Sequence, residues 1–306
     1  MTPQGMRPGG LVVPPGRQGP GVLAPGAVAQ LDLAFARRAG GVMPGDHRGS
    51  GVGQGTELAQ LRAYEPGDDV RHIDPAASAR TTVAHVRQHI PERALTTWLV
   101  LDVSPSMAFG TAVRLKSDVA EGVATVVARL AVRRGGRIAA LTCGAPRPRL
   151  LPPRGGRGAL GAIRRLAAEG VAPDGHADPG ALAGALLRVR DISREPGLVV
   201  VVSDFRADGW ERALRSLAAR HSVLAVEISD PRERELPDAG NLVLVDPETG
   251  RLVEADTASQ RLRRRFAEVE AERRAALQEA LRRAAAEHVA LSTGDDWLRE
   301  LARHVR

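Results

Sequence analysis

Trp98-Leu99-Val100-Leu101-Asp102-Val103-Ser104-Pro105-Ser106 is the stretch on which the fold turns. Its first half is a short apolar run, the mark of a strand buried on both faces of a parallel sheet. A carboxylate and two hydroxyls follow at the carboxyl end of that strand. In an open α/β sheet this edge is where ligands bind. The spacing Asp-x-Ser-x-Ser suits a loop that curls around a small hard cation. One carboxylate and two hydroxyls offer oxygen ligands without a large excess of charge, and a Mg²⁺ ion so held keeps waters and an exchangeable position. Asp102, Ser104 and Ser106 are therefore candidate metal ligands. The competing reading is that Ser104 or Ser106 caps the helix that follows.

A second acidic strand end is Ser203-Asp204-Phe205, which closes the run Leu198–Val202. Asp204 reaches the same edge if the two strands are neighbours. Its competing role is to cap a helix at Trp210. Between and beyond these strands, apolar runs alternate with helical periodicity. Helices are predicted over 116–133, 158–168, 179–190, 210–220 and 295–304, and strands over 137–143, 223–228 and 288–292. Gly135-Gly136 closes the first of these helices. Such alternation implies an α/β fold, a doubly wound, mostly parallel sheet with right-handed crossovers. Leu242–Val245 and Leu252–Glu254, joined through Pro247-Glu248-Thr249-Gly250, read as a hairpin inserted at an edge, and 258–286 as a long charged helix.

Three regions follow from composition. Residues 1–44 are a Pro/Gly-rich segment expected to be disordered, within which 28–39 has the period of a short amphipathic helix. Residues 45–94 form an irregular, polar N-terminal subdomain that ends in a strand around Val83–Ile90, and 95–306 form the α/β domain. Gly51–Gly55 lacks the Gly-Lys-Ser/Thr ending of a phosphate loop and follows no strand, so it reads as a loop.

The 306 residues are 43% hydrophobic and only 3% aromatic, so the core is aliphatic. Net charge is +7, which raises nucleic acid as a partner. The Arg-rich stretch 261–283 is the candidate surface, but its Arg residues stand beside Glu residues, as on a solvated helix, and no aromatic-interleaved basic patch accompanies them. The reading is thus of no nucleic-acid partner. A hydrolase with a Ser104 or Ser106 nucleophile would need a histidine base. His176, near Asp178, is the best placed, and no Gly-x-Ser-x-Gly elbow is present. Cys143 is the lone cysteine, expected to be a buried small residue in a reducing compartment. With no secretory leader and no apolar run of spanning length, a cytoplasmic protein is expected.

The block Leu61-Arg62-Ala63-Tyr64-Glu65-Pro66-Gly67-Asp68-Asp69-Val70-Arg71-His72-Ile73-Asp74, followed by Ser78-Ala79-Arg80, resembles a family signature. The family is that of the bacterial "domain of unknown function 58" proteins, a branch of the von Willebrand factor A superfamily. Asp102–Met107 with Phe109-Gly110 and Lys116, Ser203-Asp204-Phe205, Asp230-Pro231 with Glu235-Leu236-Pro237, and Asp246-Pro247-Glu248-Thr249-Gly250 are similar to it as well. The resemblance spans roughly residues 45–306. It implies a metal-ion-dependent adhesion site for Mg²⁺ or another divalent cation, with Asp102, Ser104 and Ser106 as its first motif and Asp204 as its third. The second motif normally brings a Thr before a helix. Here the matching residues are Ala177-Asp178-Pro179, so that hydroxyl is absent and Asp178 is the candidate substitute, directly or through water. Pro75 also stands where the family has Trp. The resemblance further implies a MoxR-type AAA+ ATPase partner, with this chain as a non-enzymatic adaptor in maturation or assembly of a target protein complex. In the signature block, Arg62, Asp68, Asp69, Arg71, Asp74 and Arg80 read either as a buried ion network or as a partner surface.

Overall fold

The computed structural model describes residues 10–29, 31, 57–66, 68–90, 96–133 and 135–304. The chain divides into two compact units, Met43–Ala94 and the rest, Met1–Val42 with Leu95–Arg306. The Gly51–Gly55 loop and most of the helix expected over 28–39 lie outside the described residues.

The smaller unit is more regular than its composition suggests. Strand β1 (Glu57–Ala63) pairs antiparallel with β2 (His85–Ile90). A register irregularity between Leu58 and Gln60 breaks the two-residue alternation by which β1 would be recognised. Helix α1 (Pro75–Thr81) lies between the strands. Asp74 caps it, accepting from the amides of Ala76 and Ala77 at 2.9 Å each. Pro75 at the first helical position gives up an N–H that has no helical partner anyway.

The larger unit is built on a six-stranded sheet in the order β10-β7-β6-β3-β4-β5. Its strands are β3 (Thr96–Asp102), β4 (Arg137–Cys143), β5 (Leu150–Arg154), β6 (Leu198–Ser203), β7 (Ser222–Ser229) and β10 (Glu287–Ser292). All pairings are parallel except β4 with β5. The sheet is the doubly wound, mostly parallel one that the apolar runs imply. Strand β5 escapes a sequence reading because Pro152-Pro153 cannot donate to a ladder; at the sheet edge that costs nothing on the open side.

Side chains alternate across the sheet into two cores. Leu99 and Leu101 of β3 face one side with α2 (Lys116–Arg133), α3 (Gly156–Ala167) and α7 (Trp297–His304). Trp98 and Val100 face the other with α4 (Ala181–Ile192), α5 (Glu211–Ala218) and α6 (Gln260–Arg283). Gly135, at φ +68°, follows α2 in the left-handed conformation that a side chain would resist. Strands β8 (Asn241–Val245) and β9 (Leu252–Asp256) form a separate two-stranded sheet, not an edge of the main one. Among the described residues no helix is long and apolar enough to cross a membrane.

The expectation of disorder over 1–44 is corrected for residues 10–29 and 31. Val12 forms an antiparallel bridge with Val171, and residues 25–29 are helical. Leu11, Val28 and Leu31 are buried in the α2 core, with Leu31 at 0% exposure. Proline and glycine were read as disorder, yet three apolar side chains and a few backbone bonds suffice to lay the segment on the domain. Asp118 of α2 is its anchor: the fully buried carboxylate accepts from the amides of Gln18 at 3.1 Å, Gly19 at 2.7 Å and Leu115 at 3.2 Å. Trp297 adds an indole bond to the Pro20 carbonyl. Replacing Asp118 by Ala strands these donors. We expect a loss of roughly 1–3 kcal/mol in urea unfolding and new tryptic cleavage after Arg17, whose guanidinium also lies against Asp118.

Candidate metal and partner site at the sheet rim

The strand order reverses between β3 and β6, whose carboxyl ends are therefore adjacent at a topological switch point. Asp102 ends β3 and Asp204 follows β6 directly. Asp102, Ser104, Ser106 and Asp204 are brought together here, each at most 7% exposed. One Asp102 oxygen accepts from the Ser104 amide at 2.9 Å, and the other from the Ser203 hydroxyl at 2.5 Å. The Ser104 and Ser106 hydroxyls are 3.1 Å apart.

The capping alternatives do not describe these side chains. Ser104 stands at the cap of the 3₁₀ turn Pro105–Ala108 but makes no side-chain cap bond, since its hydroxyl is turned to Ser106. Asp204 leaves α5 uncapped: the cap residue there is Trp210, without a side-chain bond. Asp204 accepts instead from the Arg206 amide at 3.1 Å. Phe205 follows it at φ +51°, a left-handed conformation costly for a bulky residue, while its buried ring packs edge-on against Trp210, with centroids 5.2 Å apart.

Two neighbours complete the rim that the search for metal ligands missed. Lys116, the chain's one lysine, is 0% exposed, and its ammonium donates to Asp204 and to Glu233 at 2.7 Å each. Its signal in the sequence was that singularity and its place in the signature. Gly144, at φ +89°, lies against the first-motif loop. A Cβ there would sit 2.5 Å from the Ser104 nitrogen and 2.6 Å from an Asp102 oxygen.

Charge is divided unevenly. Burial would raise the Asp204 carboxyl, but the Lys116 ammonium and its hydrogen bond hold it below the usual range. Asp102 has no such partner. Burial, together with the Asp204 charge, pushes it up to about 6 despite the bonds from Ser203 and Ser104. An acid harder to ionise in the fold than in the unfolded chain costs stability as pH rises from about 4 through that value. A divalent cation removes this penalty, so the donor set fits a hard ion: Asp102, Ser104 and Ser106 would hold it, with Asp204 behind Ser106.

Further out, Arg206 joins Glu233 at 3.2 Å to Glu270 at 3.1 Å, and Arg273 continues from Glu270 at 3.0 Å. Arg264, Arg265, Arg282 and Arg283 of α6 also pair with helix carboxylates. The Arg-rich helix is thus laced to acids. Asp230, after β7, is fully buried and accepts from the Thr111 amide and hydroxyl and the Thr293 hydroxyl, tying the loops after β3, β7 and β10 at this rim.

Other candidates stand apart. Asp178 is exposed, and its carboxylate accepts from the Gly180 amide at 3.2 Å just before α4. It is not drawn into the cluster. His176 is exposed, and its ring bonds the Asp174 carbonyl rather than a serine. Cys143 is buried. In the smaller unit the signature residues read as an ion network or a partner surface are spread between half-buried and exposed positions, with Asp74 buried. Arg62 and Asp68 make a half-buried two-pronged pair at 2.8 and 2.7 Å, and Asp74 is a cap. Asp69, Arg71 and Arg80 are exposed, with Asp69 accepting from the Arg71 amide.

The unexpected group is Glu248, at the tip between β8 and β9. Its carboxylate accepts from the Ser106 amide at 3.1 Å, and the Gly175 amide donates to the Pro247 carbonyl at 2.9 Å. The hairpin tip therefore lies on both the first-motif loop and the segment that precedes Ala177.

Comparison with known proteins places this architecture. The family described as "Protein of unknown function DUF58" matches residues 60–276. "Uncharacterized protein Rv1480" of Mycobacterium tuberculosis is 41% identical over 281 residues, covering 91% of this chain and 88% of that protein. "Uncharacterized protein Mb1516" of Mycobacterium bovis matches to the same extent. Among solved structures, the conserved hypothetical protein BatB from Bacteroides thetaiotaomicron is similar over 69% of this chain and 97% of its own, at 12% identity and a TM-score of 0.43. The SpRpn10 VWA domain is similar over 68% of this chain and 93% of its own, at 15% identity and a TM-score of 0.35.

Two substitutions test the rim as built. Lys116→Met leaves two carboxylates buried without their cation, a loss of about 3–5 kcal/mol. Because the depressed Asp204 contributes its full stability above the unfolded value of 3.8 and loses it as pH falls through a lower one, that deficit should hold from neutral pH down to about 4 and shrink below it, as thermal unfolding across pH would show. Gly144→Ala should cost about 1–3 kcal/mol by overpacking, read as a lowered urea midpoint.

Proposed function

This chain belongs to the DUF58 family, and from that membership and the rim described above we propose that it is a non-enzymatic, divalent-cation-dependent protein-binding module. The observation that carries the reading is the meeting of Asp102, Ser104, Ser106 and Asp204 at the ends of two adjacent parallel strands. These oxygens are enough to hold Mg²⁺ yet too few to fill its coordination. When bound, the ion supplies an open position that an acidic side chain of another protein can take. The chain's own residues do the rest. Lys116 neutralises Asp204, Ser203 and the Ser104 amide orient Asp102, and Gly144 lets the loop lie close.

The hydrolase alternative is disfavoured by the histidine it would use, since His176 is exposed and its ring bonds the Asp174 carbonyl. The Ser104 and Ser106 hydroxyls bond each other, and a nucleophile needs a base that takes its proton. The finer assignment rests on the likeness in sequence: the partner is a MoxR-type AAA+ ATPase, and the module acts as its adaptor in maturing a target complex. A buried lone thiol at Cys143 suits the reducing cytoplasm in which that ATPase would be met.

The test is thermal unfolding of the full chain in Mg²⁺ and in chelator. At a hundred times the dissociation constant, binding adds about 2.7 kcal/mol, a rise of several degrees that Asp102→Ala should abolish. Capture of the ATPase should fall with chelator and with the same substitution. Identical unfolding with and without the ion, in the wild type, would remove the cation from the proposal.

A further inference from the structure

Glu248 has no role in the site as proposed above, yet it sits on it. It is half-buried and bonds the amide of Ser106, one of the candidate ligands, 142 residues away in sequence. Three observations bear on what it does there.

The first is charge. Lys116 answers Asp204, and Arg206 answers Glu233. Among the described residues no cationic side chain pairs with Asp102 or Glu248. Two unmatched carboxylates at one rim equal the charge of one divalent ion.

The second is the missing hydroxyl. The hairpin tip is fastened to the segment that should supply the second motif: Gly175 holds the Pro247 carbonyl, and a Cβ on Gly175 would stand 3.6 Å from the Thr249 oxygen. An oxygen donor from the hairpin thus lies beside the stretch where Ala177 offers none. The third is construction. The tip is preformed, because Asp246 accepts from the Glu248 amide and from the Thr249 hydroxyl, which fixes the turn. The strands behind it put no residue into either core. At its base the hairpin hangs on Thr257, which donates to the Gly240 carbonyl.

We infer that Glu248 is an internal stand-in for the partner's carboxylate. The β8–β9 hairpin is a strap that closes the ligand position in the free protein. The external ligand is a protein loop presenting an acidic side chain, and it binds by displacing the strap. This rests on the protein-binding reading above and adds the chemistry of the ligand and its competitor. A tethered carboxylate competes at high effective concentration, so only a partner with further contacts displaces it.

The experiment is hydrogen–deuterium exchange on the full chain, following amides 246–251, with a peptide-binding measurement beside it. In the wild type, Mg²⁺ should slow exchange at the tip. Glu248→Ala should speed it about tenfold, as local opening loses one buried anchor, with β6 and β7 unchanged. A synthetic peptide copying residues 244–252 should bind Glu248→Ala in Mg²⁺ and not the wild type, and a copy with Gln in place of the glutamate should bind neither. Tip exchange indifferent to Glu248→Ala, or a peptide that binds both proteins equally, overturns the strap. If the wild type takes up Mg²⁺ while the tip is indifferent, the strap falls and the cation site stands. If Mg²⁺ leaves the wild type unaffected while Glu248→Ala still frees the tip, the cation reading falls and the strap stands.

Discussion

Two carboxylates lie almost out of reach of water at the ends of β3 and β6, and the one ammonium buried with them bonds Asp204 and Glu233 but not Asp102. This imbalance organises the rim. Burying a charge is costly unless it is paired and hydrogen-bonded. Asp204 is paired, through Lys116, to Glu233, and Glu233 also closes a capping box with Asp230 after β7. Asp102 receives only hydrogen bonds, from Ser203 and from the turn that begins at Ser104. It is the group whose ionisation the fold leaves unsupported. The sheet order makes this possible: with β3 and β6 adjacent and parallel, acids at the carboxyl ends of the two strands come to the same rim.

What could be read from the residues follows from how each element is stabilised. Strands β3, β6 and β7 are buried on both faces, so their apolar runs are continuous and their position in a parallel sheet follows. The convergence of Asp102 with Asp204 was legible for the same reason, given adjacency. Strand β5 was not, because an edge strand tolerates Pro152-Pro153 and therefore carries no pattern. The segment over 10–27 was not, because Leu11 stands far in sequence from Val28 and Leu31, and the prolines and glycines between them carry no period. The smaller unit hid its first strand behind an irregularity.

The site was legible only in its ligands. Lys116 lies in the first turn of α2, where a lysine usually extends into solvent; only the three-dimensional placing of Asp204 and Glu233 draws it inside. Gly144 follows a strand like many glycines, and its necessity appears only when the first-motif loop is laid against it. Glu248 belongs to a turn whose residues read as ordinary turn chemistry. Its contact is with a residue more than a hundred positions earlier, and no local pattern encodes that.

The hairpin differs in kind from the sheet it touches. The sheet is fixed by two cores that bury nearly every residue of β3, β6 and β7, so a shift at one strand must be paid across both faces. Val243, Val245, Leu252 and Val253 of the hairpin are by contrast largely exposed. The hairpin's strands put no residue into either core, and among the described residues the bonds that tie its tip to the domain are those at Ser106 and Gly175. Segments with few buried apolar contacts open at a small fraction of the free energy that unfolds the domain. The rim thus combines ligands held rigidly by the sheet with a covering element whose release leaves the sheet intact, and the two can respond to a partner independently.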